Sequence, residues 1–157
     1  MSAATGVISF GTLWAYIRSA SSLIADKFIA LTGMMTALIF VLQMINFPVA
    51  AGTSGHLLGG ALAVIVLGPR LGLICLSVVV IIQSLLFADG GLSALGINVM
   101  NMAIVTSVTA WVVVKYWIKF IGRTSSSLII VSVLSGIVSV VFSSIAFMVQ
   151  YILGGTI

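Results

Sequence analysis

Long apolar stretches, separated by short polar or glycine-rich breaks, follow one another along the whole sequence. A helix that crosses a membrane needs about 20 mainly apolar residues, and four of the six stretches reach or approach that length. The stretch at 56–68 is too short to cross alone unless it is kinked, tilted or shielded by neighbouring helices, and 3–17 is marginal. The six stretches cover residues 3–17, 28–47, 56–68, 71–88, 92–114 and 128–153.

The lysines and arginines predict how these stretches are oriented, because cytoplasmic loops carry an excess of both residues. They occur in every second loop, whereas the loops at 48–55 and 89–91 contain none. The alternation places the N-terminus, both uncharged loops and the C-terminal end outside the cell. The basic residues are Arg18 and Lys27 in the first loop, Arg70 in the third, and Lys115, Lys119 and Arg123 in the fifth.

Composition agrees with a membrane protein and excludes a soluble enzyme. Of the 157 residues, 62% are apolar and 5% are charged, whereas a soluble domain has roughly 25% charged residues. The formal net charge of +4 does not indicate nucleic-acid binding, because the cations are scattered and form no stripe that could follow phosphates. The sequence therefore predicts an all-α, polytopic transmembrane bundle of about six helices, with one domain over residues 1–157 in the cell membrane.

Several kinds of catalysis are excluded by the residues present. The carboxylates are Asp26 and Asp89, which the predicted topology puts on opposite sides of the membrane, so they cannot act as a pair. The Gly52–Gly55 stretch lacks the spacing of a serine nucleophile elbow, because His56 interrupts it. No Gly-x-x-x-x-Gly-Lys-Ser/Thr phosphate loop occurs. The lone Cys75 rules out an internal disulfide and a cysteine metal cluster, and we interpret it as a buried thiol.

The most polar feature is the small-residue turn at 48–55 together with His56, the single histidine of the chain. Pro48 closes the preceding helix, and the small residues allow the chain to fold back without large lipid-facing side chains. A lone histidine can be a purely structural residue. However, an ionisable group at the mouth of a membrane bundle is costly, and neutral imidazole is the commonest metal ligand. We therefore favour a ligand role for His56.

A second polar group follows the fourth apolar stretch and, in the predicted topology, lies on the same outer side. Asn98 and Asn101 are three residues apart and so share one face of a helix. They can form hydrogen bonds between helices or contact a ligand, and both interpretations stay open. Asp89 can act in the same pocket or can simply cap a turn, since two glycines follow it.

These residues lie within strings that resemble the CbiM/NikM family, the substrate-binding membrane subunits of energy-coupling-factor transporters. The resemblance runs in consecutive blocks from about residue 30 to residue 110 and is looser elsewhere. The blocks are QMINFP (43–48), GTSGHLLGG (52–60), LGP (67–69) and LFADGGL (86–92), together with Asn98 and Asn101.

The resemblance implies uptake of Co²⁺ or Ni²⁺ as transported substrate, with cobalt serving cobalamin biosynthesis and no permanently bound cofactor. It also implies three kinds of partner: a transmembrane coupling subunit, two ATPase subunits and often a small accessory membrane subunit. The resemblance further implies that His56 binds the metal together with the amine of Met1 and the backbone nitrogen of the second residue. We assign Thr53, Ser54, Asp89, Asn98 and Asn101 to the surrounding pocket.

Two departures from the family pattern bear on function. The family has a histidine at the second position whose imidazole completes the ligand set, whereas this sequence has Ser2. Family members also begin with a few more residues and continue into a further helix, so we expect the chain to be a fragment, the product of a displaced start, or a degenerate member. The alternative function is accordingly a membrane bundle with a structural or interaction role and no metal capture. A subunit for an organic vitamin is less favoured, because the sequence shows no aromatic-lined polar cluster.

Overall fold

The computed structural model describes residues 2–20, 26–45, 47–50, 53–55, 57–87 and 92–154, and the side chains of 4–18, 29–45, 57–87 and 92–153. Five helical stretches account for most of these residues. The first two are α1 (Ser2–Ala20) and α2 (Asp26–Gln43). Two short strands follow, β1 (Phe47–Ala50) and β2 (Thr53–Gly55), and then α3 (Gly60–Leu86).

The fourth stretch is a continuous helix whose hydrogen-bonding pattern changes along its length. It begins with a 3₁₀ turn (Leu92–Ala94) and passes through α4 (Leu95–Asn98) into a π-helical segment (Val99–Val105). It then continues as α5 (Thr106–Ile121). The last stretch is α6 (Ser125–Gly154).

Helix α3 is broken at Gly68, and its two arms fold back on one another. Gly68 has φ 81° and ψ 171°, values that glycine adopts easily, and Pro69 follows it. A Cβ added to Gly72 would lie 2.9 Å from the carbonyl carbon of Ala63. In a straight helix, residues nine apart are separated by about 13.5 Å. The chain therefore reverses here, as the separate stretches at 56–68 and 71–88 predict.

Two helix boundaries differ from the sequence expectation, each for a physical reason. Helix α2 ends at Gln43, whereas the apolar pattern runs to residue 47. Pro48 cannot continue a helix and disfavours helical backbone at Phe47, which instead begins strand β1. Helix α5 continues to Ile121, past the predicted end at 114, because lysine side chains can extend to the membrane surface. The ammonium of Lys115 lies 4.8 Å from the centre of the Trp111 ring.

Apolar side chains fill the interface of α2, both arms of α3 and the π-helical segment. Ile39, Ala63, Leu76, Val79 and Ala103 are completely buried there. By length and composition, three helical stretches of the described residues can cross a membrane, namely Gly60–Leu86, Leu92–Ile121 and Ser125–Leu153, and Ile29–Gln43 is a shorter apolar helix. Large apolar side chains also cover the outer surface, including Phe142, Ile145 and Met148 on α6. A surface of this kind suits a lipid environment.

Basic residues of the described part of the chain lie near alternate reversals of the chain, and the orientation of the bundle in the membrane stays a prediction. Arg18 is in the last turn of α1, Arg70 lies two residues after Gly68, and Lys119 is in the last turn of α5. The fold is therefore a polytopic helical bundle, as the sequence predicts, with one short β-ribbon among the described residues.

Candidate metal site

A short antiparallel ribbon leads the chain from α2 toward α3. In this ribbon Phe47 pairs with Gly55 and Pro48 pairs with Ser54, and the register shifts between Pro48 and Ala50. The small residues of the sequence permit this tight return. His56 follows β2 directly along the chain and lies outside the described residues, so its position in the site stays a prediction.

The residues that come directly after His56 are held against α2. The side-chain amide Nε2 of Gln43 donates a hydrogen bond of 2.6 Å to the carbonyl oxygen of Leu58. Gly59 has φ 72°, and a Cβ at this position would lie 2.7 Å from Cγ2 of Ile39. Only glycine fits this combination of backbone angle and close contact. The chain thus enters α3 along a surface formed by one turn of α2.

On its other side, the start of α3 touches the start of α5. A Cβ added to Gly60 would collide with the side chain of Thr106, which is fully buried. The hydroxyl of Thr106 donates to the carbonyl oxygen of Met102. The amide of Ala63 donates to the carbonyl oxygen of Gly59 at 3.0 Å, which begins the helix. Residues 58–60 are consequently fixed between two different helices.

Asn101 lies in the π-helical segment and connects it to α6. Its Nδ2 donates to Oε1 of Gln150 at 2.9 Å, and Nε2 of Gln150 donates back to Oδ1 of Asn101 at 3.2 Å. The hydroxyl of Ser143 also donates to the backbone carbonyl of Asn101. Both side-chain polar atoms of Asn101 therefore take part in hydrogen bonds between helices. Asn98 ends α4 and is half-buried.

Helix α1 packs beside the same polar region. The hydroxyl of Ser9 donates a hydrogen bond of 3.1 Å to the carbonyl oxygen of Gly96 in α4. Ser2 begins α1, about 10 Å along the helix axis from Ser9 at 1.5 Å per residue. Met1 and Asp89 lie outside the described residues, and the side chains of Ser2, Thr53 and Ser54 are not described. The predicted ligand set of Met1, Ser2 and His56 thus remains a prediction.

Few side chains of this protein can bind a metal. The chain has one histidine, one cysteine and two aspartates, and the described part contains no group of three or more His, Cys, Asp or Glu side chains. Cys75 is buried in the apolar core, as expected, and its sulfur lies 3.2 Å from the hydroxyl oxygen of Thr36. The described side chains therefore form no such cluster, and a ligand set that combines His56 with backbone and N-terminal nitrogens stays a prediction.

Three buried glutamine or threonine side chains were not singled out by the sequence analysis. Gln43, Gln83 and Thr106 are each at most 2% exposed. Oε1 of Gln43 and Nε2 of Gln83 have no hydrogen-bond partner among the described residues. The two glutamines could have been found from the sequence, because each places an amide side chain near the end of an otherwise apolar helix. Such groups in membrane proteins usually have a specific role.

Comparison with known proteins identifies the family. A family model described as "Cobalt uptake substrate-specific transmembrane region" (CbiM) matches residues 1–157. A putative fused nickel transport protein NikMN of Archaeoglobus fulgidus is 46% identical over 104 residues, which are 66% of this chain and 35% of the relative. A cobalt transport protein CbiM of Geobacter sulfurreducens is 37% identical over 90 residues, covering 57% of this chain and 26% of the relative.

A solved structure supports the same assignment. The crystal structure of a transition metal transporter superposes with a TM-score of 0.83 at 26% sequence identity, covering 92% of this chain and 62% of that one. The chain thus spans only part of the length of the relatives that it matches. Its apolar helices and its relatives make it a multi-pass membrane protein. The chain belongs to the CbiM family of cobalt uptake substrate-specific transmembrane regions.

Proposed function

We propose that this chain captures Co²⁺ or Ni²⁺ at the outer face of the membrane, as the substrate-binding subunit of an energy-coupling-factor transporter. Imported cobalt would then serve cobalamin biosynthesis. The observation that carries the proposal is the family match over residues 1–157. Relatives named as nickel and cobalt transport proteins support the choice of substrate.

The energy for uptake would come from other subunits. The sequence contains no Gly-x-x-x-x-Gly-Lys-Ser/Thr loop that could bind the phosphates of ATP. We propose that the chain itself is non-catalytic and that two separate ATPase subunits hydrolyse ATP. A transmembrane coupling subunit would transmit the motion, and a small accessory membrane subunit would complete the complex.

We propose that the metal is bound by the imidazole of His56, the amine of Met1 and the backbone nitrogen of Ser2. Nitrogen donors of this kind in a square-planar arrangement suit Ni²⁺ and Cu²⁺, and affinity in general rises from Co²⁺ through Ni²⁺ to Cu²⁺. These donors therefore do not by themselves select cobalt over nickel. The pocket residues Thr53, Ser54, Asp89, Asn98 and Asn101 would shape the space around the ion.

A second candidate function is a membrane bundle that inserts and assembles but captures no metal. The observation that favours it is Ser2, which cannot supply the imidazole expected at that position. A titration of the purified chain in detergent with Ni²⁺ and with Co²⁺ separates the two functions. The protein should have a free N-terminus, verified by mass spectrometry, and Mg²⁺ should serve as the control ion.

We expect saturable binding of one Ni²⁺ or Co²⁺ ion per chain and none of Mg²⁺, because nitrogen donors discriminate against hard oxygen-seeking cations. Absence of saturable binding would favour the bundle without metal capture. A cell-uptake assay with the coupling and ATPase subunits co-expressed then tests transport. Accumulation that disappears when the ATPases are omitted is the expected result.

A further inference from the structure

The amide of Gln43 joins the end of α2 to the chain that enters α3. We propose that Gln43 is a positioning residue for metal capture: by holding the carbonyl of Leu58, it fixes the segment that connects His56 to α3. The inference rests on the proposed function, in which His56 binds the metal. It concerns a residue that does not touch the ion.

The orientation of the Gln43 amide follows from its partner. The carbonyl oxygen of Leu58 can only accept a hydrogen bond, so the amide nitrogen of Gln43 must face it. The side chain is 1% exposed. In such a dry environment, an unpaired carbonyl is costly. Leu58 is half-buried, so removing the donor leaves a partly buried carbonyl without its side-chain partner and favours movement of the segment.

Gly59, the next residue, packs closely against the same surface of α2. A Cβ added to Gly59 would lie 2.7 Å from Cγ2 of Ile39 and 3.6 Å from Nε2 of Gln43. Ile39 and Gln43 are four residues apart and so project from one face of α2. The left-handed backbone of Gly59 and the hydrogen bond to Leu58 thus belong to one contact, in which this segment docks on α2.

This contact lies two residues along the chain from His56. A metal ligand that is already in place avoids the ordering cost of binding, and residues that orient a ligand typically contribute 10- to 100-fold to metal affinity. The docking contact also reaches the apolar core, since Ile39, which lies against Gly59, belongs to that core. Gln43 therefore holds the segment that carries His56 in a fixed position relative to the bundle.

The test compares Gln43→Met with the matched control Gln83→Met. Methionine keeps an unbranched side chain of similar length but cannot donate a hydrogen bond. Gln83 is also a buried glutamine, and its amide nitrogen has no partner among the described residues. For both variants and the parent, we would measure the Ni²⁺ dissociation constant, the thermal midpoint in detergent and the visible absorption spectrum of the Ni²⁺-saturated protein.

We expect Gln43→Met to weaken Ni²⁺ binding about 10- to 100-fold, with a spectrum identical to that of the parent, because the ligands are unchanged. Gln83→Met should bind as the parent does, and the thermal midpoints should show that both variants are folded at the temperature of the titration. Unchanged affinity in Gln43→Met overturns the proposal. A shifted spectrum also overturns it, because Gln43 would then be a ligand. Gln43→Asn, which keeps the amide but is one methylene too short, should reproduce the loss if Gln43→Met does not fold.

A metal-free measurement separates failure of this inference from failure of the proposed function. If the parent binds neither Ni²⁺ nor Co²⁺, the proposed function fails, but amide hydrogen exchange still tests the contact. Exchange in residues 57–63 should be at least about tenfold faster in Gln43→Met than in Gln83→Met, since the Leu58 carbonyl loses its anchor. Equal exchange in the two variants would show that Gln43 does not position this segment.

Discussion

The side chain of Thr106 occupies the space that a side chain on Gly60 would need. A Cβ built on Gly60 would lie 2.6 Å from Cβ of Thr106 and 3.2 Å from its carbonyl carbon. The backbone at the start of α3 thus lies directly against Thr106 at the start of α5, and close approach of this kind is typical of helices in membranes. Because Gly60 follows the His56 segment closely, the contact also fixes that segment relative to the bundle.

Gly60→Ala should therefore destabilise the protein. Overpacking of a tight contact costs about 1–3 kcal/mol, and the nearest atoms include backbone that cannot rotate away. The matched control is Gly136→Ala in α6, where an added Cβ meets nothing within 4 Å. Thermal unfolding in detergent should show a lower midpoint for Gly60→Ala and no decrease for Gly136→Ala. An unchanged midpoint for Gly60→Ala would contradict the close approach of the two helices.

The reciprocal amide pair of Asn101 and Gln150 should contribute to the docking of α6. A double-mutant cycle with Asn101→Ala and Gln150→Ala measures the interaction free energy of the pair. Hydrogen bonds between membrane helices average about 0.6 kcal/mol and reach about 1.7 kcal/mol, so we expect a coupling of about 0.5–2 kcal/mol. A coupling of zero would mean that the two side chains do not interact in the folded protein.

The outward orientation of the candidate site can be tested by thiol labelling. In a Cys75→Ala background, a cysteine at Thr53 should react with an impermeant reagent added to intact cells. A cysteine at Ser125, which begins α6 next to the basic residues of the fifth loop, should react only after lysis. The reverse pattern would contradict both the predicted topology and a site that faces outward.

The sequence predicts the helical parts of the fold because apolar length and helix breakers are local signals. Gly68 and Pro69 mark the reversal inside α3, and Pro48 marks the end of the preceding helix region. The π-helical hydrogen bonding at Val99–Val105 could not be predicted, since no single residue there requires it. The ribbon was expected only as a turn, because its strands are three or four residues long.

Some residues of the candidate site can be recognised in the sequence by their type, whereas others depend on how the helices pack. Histidine and asparagine are conspicuous in an apolar chain, so residue type alone makes His56, Asn98 and Asn101 candidates for the site. The role that we propose for Gln43 depends on a hydrogen bond to Leu58, 15 residues away along the chain. Such a pairing is set by how α2 and α3 pack, which periodicity does not reveal.

The N-terminal ligands can be tested through the departure at Ser2. Ser2→His restores the imidazole that the family pattern places at the second position. A preorganised protein ligand avoids the ordering cost of a separate water, so we expect Ni²⁺ or Co²⁺ affinity to rise at least about tenfold, or about 1.4 kcal/mol. The readout is a metal titration of parent and variant, each with a free N-terminus confirmed by mass spectrometry. No gain would mean that the N-terminal ligand model does not apply to this chain.

Metal capture by His56 is the central claim, and the most direct measurement of it is calorimetric titration of His56→Ala with Ni²⁺ and Co²⁺. Because His56 is the single histidine of the chain, its removal should abolish binding, whereas Cys75→Ala, which alters a buried core thiol, should bind as the parent does. Binding to the parent should also weaken at mildly acidic pH, because protons compete with the metal for imidazole. Equal metal affinity in His56→Ala and the parent would contradict the account.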